Sequence, residues 1–348
     1  SKLIFDREAL LGVSITGWMN NPDILFDEKV LQKGAEIVKK VNREVAQIIG
    51  INAAARTTCV KPSGNASVLL QTASGIHAEH SNMYIRNVQM NKESEITQAI
   101  MKTNPYMVEE SVWSAGGTDV VVSFPILPKK GSMYKDDLLG VKHLELVKKA
   151  QKHWVEAGTN EDLCADKGVR HNVSNTIIVD DWDEVEKYVF ENRHSFAGIS
   201  FLAMSGDKDY NQAPNTAVIT AKDMVKKYGN AAVFASGMVV DALKCFNNLW
   251  DACSTAKGFG EDLSLESSEN AMKKDWVRRF GKFADNYLDS NTELAEHCLK
   301  DAYLLHKWNK IQSTLKTVDW KEDITERKYT DVDTLAAAAC AGGACEID

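Results

Sequence analysis

The stretch Thr57 to Ile76, TTCVKPSGNASVLLQTASGI, changes character twice. It begins as a strand-like run that ends at Pro62, continues with small hydroxyl and glycine residues, and resumes as a possible helix over 66–72. A strand, a turn and a helix in succession form the basic unit of α/β proteins. The stretch therefore predicts an α/β fold.

Helical and strand patterns alternate on both sides of this stretch. Upstream, apolar residues over 29–49 recur at spacings of three and four before Gly50, which predicts an amphipathic helix with a glycine stop. Downstream, short apolar runs predict strands at 120–124, 175–179 and 196–204, and helices are predicted at 137–157 and 182–192. Strands that alternate with helices predict a mostly parallel sheet or barrel.

The C-terminal part of the chain has a different pattern. After Thr220 the strand signals fade, and helices are predicted over 238–255, 270–287 and 292–314. After Trp320 the chain becomes polar and ends in a segment that carries Cys340 and Cys345, which predicts a flexible tail. We therefore expect three parts: 1–220 with the α/β sheet, 221–320 mainly helical, and the tail 321–348.

Composition excludes several classes of protein. The chain has 348 residues, of which 44% are hydrophobic and 26% charged, enough for a packed core. Its 41 basic and 49 acidic residues are scattered, which disfavours a nucleic-acid groove. The nearly apolar stretch 231–243 is shorter than the roughly 20 residues of a membrane helix. No secretory signal is visible and the seven cysteines form no disulfide framework, so we expect a cytoplasmic protein.

The turn after Pro62 is a candidate anion site. It would place backbone N–H groups and the hydroxyls of Ser63 and Ser67 at the positive end of a helix, where a phosphate fits. An ordinary capped turn is the alternative, because Ser, Asn and Gly are common at helix N-termini. His77 and His80 have no third ligand at a useful spacing, which favours a polar loop over a metal site.

Cys340 and Cys345 are candidates for redox chemistry. The spacer Ala-Gly-Gly-Ala is flexible enough for the two thiols to reach disulfide distance with little strain. In a reducing compartment such a disulfide is transient, which indicates electron delivery. Chance placement and a metal clip are the alternatives. The other cysteines, Cys59, Cys164, Cys245, Cys253 and Cys298, are predicted to be small core residues.

Several segments together resemble a known family. They are 12–17, 58–67, 75–77, 154–160, 196–200 and the end of the chain, 338–346. In this order they are similar to the C-terminal half of an adenosylcobalamin-dependent (class II) ribonucleotide reductase, and bacteriophage members of that family are the most similar.

The resemblance implies a fold and a chemistry. The fold is the second half of a ten-stranded α/β barrel, followed by a helical region and the tail. The loop Pro62, Ser63, Gly64, Asn65, Ala66 and Ser67 would hold the phosphates of a ribonucleotide. In the family a cysteine thiyl radical removes the 3′ hydrogen and a pair of barrel cysteines reduces the 2′ position. Cys340 and Cys345 would then re-reduce that pair, using thioredoxin or a similar dithiol reductant.

One departure from the family matters most. The family's radical cysteine lies in an Asn-Pro-Cys-Gly-Glu-like loop, which this sequence lacks. We therefore expect the N-terminal half of the reductase, with its allosteric region and one redox cysteine, to be on a separate chain. A split gene is one origin and a larger precursor is another. Ser1 would suit the residue that follows an intein, and a cloning remnant is the alternative.

Other classes are disfavoured. No two of the nine tyrosines are adjacent, unlike the radical pathway of class I enzymes, and no Arg-x-x-Gly-Tyr-like end indicates class III. An Asp-x-His-x-x-Gly motif is absent too, so adenosylcobalamin would keep its own base on cobalt. A fragment of a class I catalytic chain and a non-catalytic dithiol carrier or binding module remain the alternatives.

Overall fold

The computed structural model describes residues 2–204, 210–258 and 268–320. The chain forms two compact units that interleave in sequence: unit 1 contains 1–82 and 127–208, and unit 2 contains 83–126 and 209–348. The sequence analysis instead placed its boundaries at 220 and 320, and those domains stay predictions. The tail 321–348 lies outside the described residues.

The elements of the described residues are as follows. The helices are α1 (Lys2–Glu8), α2 (Pro22–Leu25), α3 (Glu28–Ile49), α4 (Asn65–Leu69), α5 (Glu95–Thr103), α6 (Gly140–Ala150), α7 (Trp182–Glu191), α8 (Ala221–Tyr228), α9 (Ala231–Cys245), α10 (Leu249–Lys257), α11 (Ser268–Tyr287) and α12 (Thr292–Thr314). The strands are β1 (Val13–Ser14), β2 (Thr58–Cys59), β3 (Tyr84–Asn91), β4 (Val108–Glu110), β5 (Asp119–Ile126), β6 (Ile177–Val179), β7 (Phe201–Ala203) and β8 (Asn215–Ala217).

Unit 1 is built on parallel strands. β1 pairs with β2 and β6 pairs with β7, both in parallel. A parallel bridge between Val60 and Val173 connects the two pairs, because Val60 follows β2 and Val173 precedes β6. The α/β prediction is confirmed, whereas the described strands do not by themselves make a barrel of ten.

Helices cover this parallel sheet and bury its core. The largest buried side chains include Trp18, Leu31, Ile76 and Leu144. Helix α3 matches its prediction closely, because the Asp27 side chain caps its first turn and Gly50 ends it in the left-handed conformation (φ 75°). A π-helical turn over 151–156 extends α6 and contacts α3.

Unit 2 corrects the expectation of a mostly parallel sheet. The predicted strand 120–124 lies in β5, but β5 pairs antiparallel with β3 along 84–91, in a sheet of order β4-β5-β3-β8. The sequence analysis missed β3, because its apolar residues are interrupted by Arg86, Asn87 and Gln89. A periodicity marks a strand, but it does not give the direction of the strand's neighbour.

Helices α8–α12 form the C-terminal helical part of unit 2, as predicted. The predicted helix 238–255 is in fact two helices, because Phe246 is extended and the Asn248 side chain caps α10. Trp276 and Leu299 are among the largest side chains in the core of these helices. None of the helices in the described ranges combines the length and apolar character of a membrane span.

Candidate functional site

The turns after β1 and β2 lie at one edge of the parallel sheet. Val13 is in register with Thr58, so the residues after Ser14 and after Cys59 leave the sheet together. The Ser14 hydroxyl also accepts a hydrogen bond from the Lys61 N–H at 3.0 Å. In open α/β sheets, ligands bind outside the carboxyl ends of the strands, so the loop 62–67 occupies the expected position for a ligand site.

The loop 62–67 folds back on itself before α4. Gly64 has a positive φ of 48°, and the Ala66 N–H donates to the Ser63 carbonyl at 3.0 Å. Pro62, Gly64 and Ala66 are exposed, Ser63 is half-buried and Asn65 begins α4. Ser67 is buried, and its hydroxyl donates to the Gly64 carbonyl at 2.7 Å. The Ser67 side chain therefore stabilises the loop from within.

Thr16, in the turn after β1, stabilises the loop through hydrogen bonds. Its hydroxyl donates to the Ala73 carbonyl at 3.0 Å and accepts from the Gly75 N–H at 2.9 Å. The Ser63 hydroxyl lies 2.6 Å from the Thr16 hydroxyl. Because the one proton of Thr16 goes to Ala73, Ser63 is the donor of this hydrogen bond. The Ser63 N–H in turn donates to the Ser74 hydroxyl at 2.9 Å.

Asn20 forms hydrogen bonds to residues 72 and 73, which follow α4. Its amide oxygen accepts from the Thr72 hydroxyl at 2.6 Å and from the Ala73 N–H at 2.7 Å. Its amide nitrogen donates to Glu79 at 2.7 Å and to Ser132 at 3.0 Å. Asn20 is buried, so these bonds are shielded from water and fix the segment after α4.

The sequence analysis missed Thr16, Asn20 and Ser74 as contributors to the site. The sequence did contain a signal for Thr16. In the segment 12–17 a β-branched residue is followed by the hydroxyl residues Ser14 and Thr16, and hydroxyl residues are expected where a strand ends at a binding site. Asn20 and Ser74 had no such signal. Their contacts span more than ten residues of sequence and depend on how the turns pack.

Gly75 allows a close approach of two chain segments. Its φ is positive, 55°, and a Cβ at this position would lie 2.8 Å from the Lys61 carbonyl oxygen. A larger residue would therefore displace the backbone that leads into the loop 62–67. Lys61 itself is exposed, so a positive charge stands directly before the loop.

These contacts define what the loop offers to a ligand. The hydroxyl protons of Ser63 and Ser67 and the Ala66 N–H already have acceptors within the protein, so the candidate donors are the N–H groups of Gly64 and Asn65 and the Lys61 ammonium group. The helix has only five residues, so its dipole is small. The loop 62–67 therefore offers backbone amides beside one positive charge, that of Lys61.

The histidines and cysteines lie apart from this loop. His77 is within hydrogen-bond distance of the Ser74 carbonyl, 3.0 Å, and no three metal-ligating residues cluster in the described ranges. Cys164, Cys253 and Cys298 are buried, as predicted, whereas Cys59 and Cys245 are only half-buried. Burial raises the pKa of the Cys298 thiol to about 12, and it also raises the pKa values of Cys59 and Cys164. Cys340 and Cys345 lie outside the described residues.

Comparisons with known proteins found two similar curated proteins. It is 28% identical over 123 residues to a probable adenosylcobalamin-dependent ribonucleoside-triphosphate reductase of Dictyostelium discoideum, covering 35% of this chain and 16% of the relative. It is 22% identical over 224 residues to the adenosylcobalamin-dependent ribonucleoside-triphosphate reductase of Euglena gracilis, covering 63% of this chain and 28% of the relative. The chain's homologues are adenosylcobalamin-dependent ribonucleotide reductases. The resemblance inferred from the sequence is thereby confirmed.

The fold agrees with this relationship. A crystal structure of a B12-dependent (class II) ribonucleotide reductase superimposes with a TM-score of 0.54 at 18% identity, covering 65% of this chain and 34% of that reductase. No family model matches the chain. The chain thus spans less than a third of the length of either curated relative, and the reductase fold extends well beyond what this chain contains.

Proposed function

We propose that this chain is the C-terminal part of an adenosylcobalamin-dependent reductase that converts ribonucleotides to 2′-deoxyribonucleotides for DNA synthesis in the cytoplasm. One observation carries the proposal: a braced cationic loop stands at the carboxyl ends of parallel strands, in a chain whose relatives are reductases of this kind. The names of both relatives favour a ribonucleoside triphosphate as substrate. The non-catalytic carrier alternative has no comparable support.

The loop 62–67 would bind the phosphates of the substrate. Lys61 supplies charge, and the amides at the start of α4 supply hydrogen bonds that need no side chain. Ser63 would act by keeping its hydrogen bond to Thr16, at 2.6 Å, which holds the loop in place for the phosphates. Ser67 would act indirectly, since its hydroxyl holds the Gly64 carbonyl.

The hydrogen-abstracting thiol would come from outside this chain. The five cysteines of the described ranges are each buried or half-buried. None of the five stands in an Asn-Pro-Cys-Gly-Glu-like loop. The N-terminal half of the reductase, on a separate polypeptide, would supply that loop.

Two strand edges that are unpaired among the described strands support the proposal of a complementary half. Among the described strands, β1 pairs only with β2, and β7 pairs only with β6. All three residues of β7, Phe201, Leu202 and Ala203, are exposed. Apolar strand edges that remain unpaired favour association with further strands, which fits one half of a larger barrel.

The tail would deliver electrons to the assembled site. Cys340 and Cys345 would reduce an oxidised pair of barrel cysteines by thiol–disulfide exchange, and would themselves become a disulfide. Thioredoxin or a similar dithiol would then reduce the tail disulfide. The sequence of the tail supports this role, because two glycines stand between the thiols.

Adenosylcobalamin would supply the radical chemistry. Two cavities of the described residues, between α9 and α11 and beside Trp113, have volumes of about 360 Å³ each, which is less than a corrinoid needs. A complete cofactor site would include the complementary half.

The test of this function is product formation by the assembled enzyme. This chain and the complementary half should convert a ribonucleoside triphosphate to its 2′-deoxy product, as separated by chromatography, only when adenosylcobalamin is added. A product that forms equally well without the cofactor would contradict the class of enzyme. An assembled complex without any deoxyribonucleotide product would contradict the function itself.

A further inference from the structure

Helix α3 buries only part of its apolar surface. Its fully buried residues are Leu31, Ala35 and Ala46, which form one narrow face. Six further apolar side chains of this helix are between 46% and 82% exposed. Ile49, at the helix end, lies on the side of Leu31. The other five are Val30, Ile37, Val41, Val45 and Ile48. We call these five residues the α3 stripe.

The α3 stripe is a continuous helical face and not a scatter of exposed residues. At 100° per residue, the five side chains fall within an arc of about 80°, and this arc is centred about 120° from the buried face. The charged residues of α3, such as Lys33, Glu36 and Lys40, occupy the remaining side. The helix therefore has two apolar faces, and the described residues cover one of them.

The topology shows where helix α3 lies. Helix α3 connects β1 to its parallel neighbour β2, and such crossovers are right-handed. The π-helical turn 151–156 contacts both α3 and β2. Helix α3 therefore belongs to the layer that covers the β1–β2 pair, next to the edge of β1 that the described strands leave unpaired.

A second apolar group lies on the chain segment that leads into β1. Leu3, Ile4 and Phe5 of α1, and Leu10 and Leu11 after it, are all exposed. The segment is fixed in place, because the Ala55 N–H donates to the Glu8 carbonyl at 2.9 Å and Arg56 forms a buried ion pair with Glu8 at 2.6 Å. Exposed apolar residues thus flank the open edge on α1 and on α3.

We propose that the α3 stripe is the docking surface for the complementary half of the reductase, whose strand and helix next to β1 would cover it. This inference rests on the proposed function for the identity of the partner. The occupant follows from the position of the stripe beside the unpaired edge of β1, and from the homologues, which are more than three times as long as the segment that this chain matches. Burial of five aliphatic side chains is typical of the apolar centre of a stable interface.

The test compares two variants of α3 with the same net charge. Ile37→Lys with Val41→Glu places charges in the α3 stripe, and Lys33→Glu with Glu36→Lys exchanges charges on the solvent side as a matched control. The probe is the part of the reductase from the same source that carries the Asn-Pro-Cys-Gly-Glu-like loop, supplied as a separate chain. Binding is measured by sedimentation velocity and biolayer interferometry.

The stripe variant should bind the probe about 30-fold or more weakly, whereas the control should bind like the wild type. Both variants should unfold near the wild-type temperature, since all four positions are on the surface of α3. Equal binding by the two variants, or no binding by the wild type, would overturn the proposal. So would a self-association of this chain that the stripe variant abolishes while the probe still binds.

The outcome separates this inference from the proposed function. If the probe binds through the α3 stripe but the pair forms no deoxyribonucleotide, the docking surface stands and the function fails. If the pair is active and the stripe variant assembles normally, the function stands and the docking surface fails.

Discussion

The hydroxyl groups of Thr16 and Ser63 lie 2.6 Å apart and join the turn after β1 to the loop after β2. Each turn follows a short strand and would be mobile alone. The hydrogen bond, together with the bonds from Thr16 to Ala73 and Gly75, makes the two turns one rigid unit. A loop fixed in this way can present its amides to a phosphate without a further ordering cost.

The Thr16–Ser63 hydrogen bond should contribute to substrate affinity. We expect Thr16→Val and Ser63→Ala each to raise the KM of the assembled enzyme for the ribonucleotide. Each rise should correspond to a loss of roughly 1–3 kcal/mol of binding free energy. The double variant should lose less than the sum, because both changes remove the same bond. Ser313→Ala, on the exposed surface of α12, is the control. Fully additive effects would show that the bond does not act in binding.

Ser67 should contribute through the shape of the loop. In Ser67→Ala the Gly64 carbonyl loses its hydrogen bond at 2.7 Å, so we expect weaker nucleotide binding together with faster amide hydrogen exchange over 63–67. Weaker binding with unchanged exchange would instead indicate a direct contact between the Ser67 hydroxyl and phosphate.

Gly75 should tolerate no side chain. Gly75→Ala places a Cβ 2.8 Å from the Lys61 carbonyl at a positive φ, so we expect destabilisation by roughly 1–3 kcal/mol and displacement of the loop. Gly281→Ala is the matched control, because its Cβ would meet nothing within 4 Å in the middle of α11. That change should be neutral or stabilising by up to about 1 kcal/mol. Urea denaturation compares the two, and equal effects would contradict the argument from close approach.

Sequence patterns predicted the long elements well. The helix predicted over 292–314 is α12 (Thr292–Thr314), and that predicted over 29–49 is α3 (Glu28–Ile49), because each has a regular apolar period and a clear cap. The three predicted strands exist as well. β6 and β7 pair in parallel, as expected. The antiparallel pairing of β5 could not be predicted, since its partner is β3, whose polar side chains hide its alternation.

The loop 62–67 could be predicted from its residue types, but its support could not. Hydroxyl and glycine residues between a strand and a helix indicate an anion site whatever surrounds them. Thr16, Asn20 and Ser74 act through contacts between segments far apart in sequence. Such contacts follow only from the packing of the turns.

Stability should fall in mild acid because of a buried histidine. His143 is buried against the Ile76 carbonyl, and burial lowers its pKa from 6.5 to about 4. Between these values the unfolded chain binds a proton that the folded chain does not, so stability is lost as the pH falls through 6.5 towards 4. The upper limit of the loss is about 3 kcal/mol.

Denaturant titrations between pH 7 and pH 5 measure this loss, and His143→Gln should show a smaller slope. His171, whose pKa burial also lowers, contributes in the same direction and remains in both proteins. Carboxylates with lowered pKa values, such as Asp241 and Glu296, act only at lower pH. Equal slopes for the variant and the wild type would exclude His143 as the titrating group.

The tail thiols should matter for repeated turnover only. With Cys340 and Cys345 both changed to Ser, the assembled enzyme should complete one turnover with thiols that are already reduced, and then stop with thioredoxin as reductant. Dithiothreitol, which diffuses into the site, should restore much of the rate. Rapid-quench measurement of the first turnover, compared with steady-state assays, checks this. Full thioredoxin-driven turnover by the double variant would contradict the relay.

Complementation is the most direct test of the account, because this chain is proposed to hold the phosphate loop but no hydrogen-abstracting thiol. Deoxyribonucleotide formation is measured with adenosylcobalamin, a ribonucleoside triphosphate and dithiothreitol, for this chain alone and for this chain mixed with the half that carries the Asn-Pro-Cys-Gly-Glu-like loop. The account predicts no product from the chain alone and multiple turnovers from the mixture. Cobalamin-dependent product from the chain alone would contradict it.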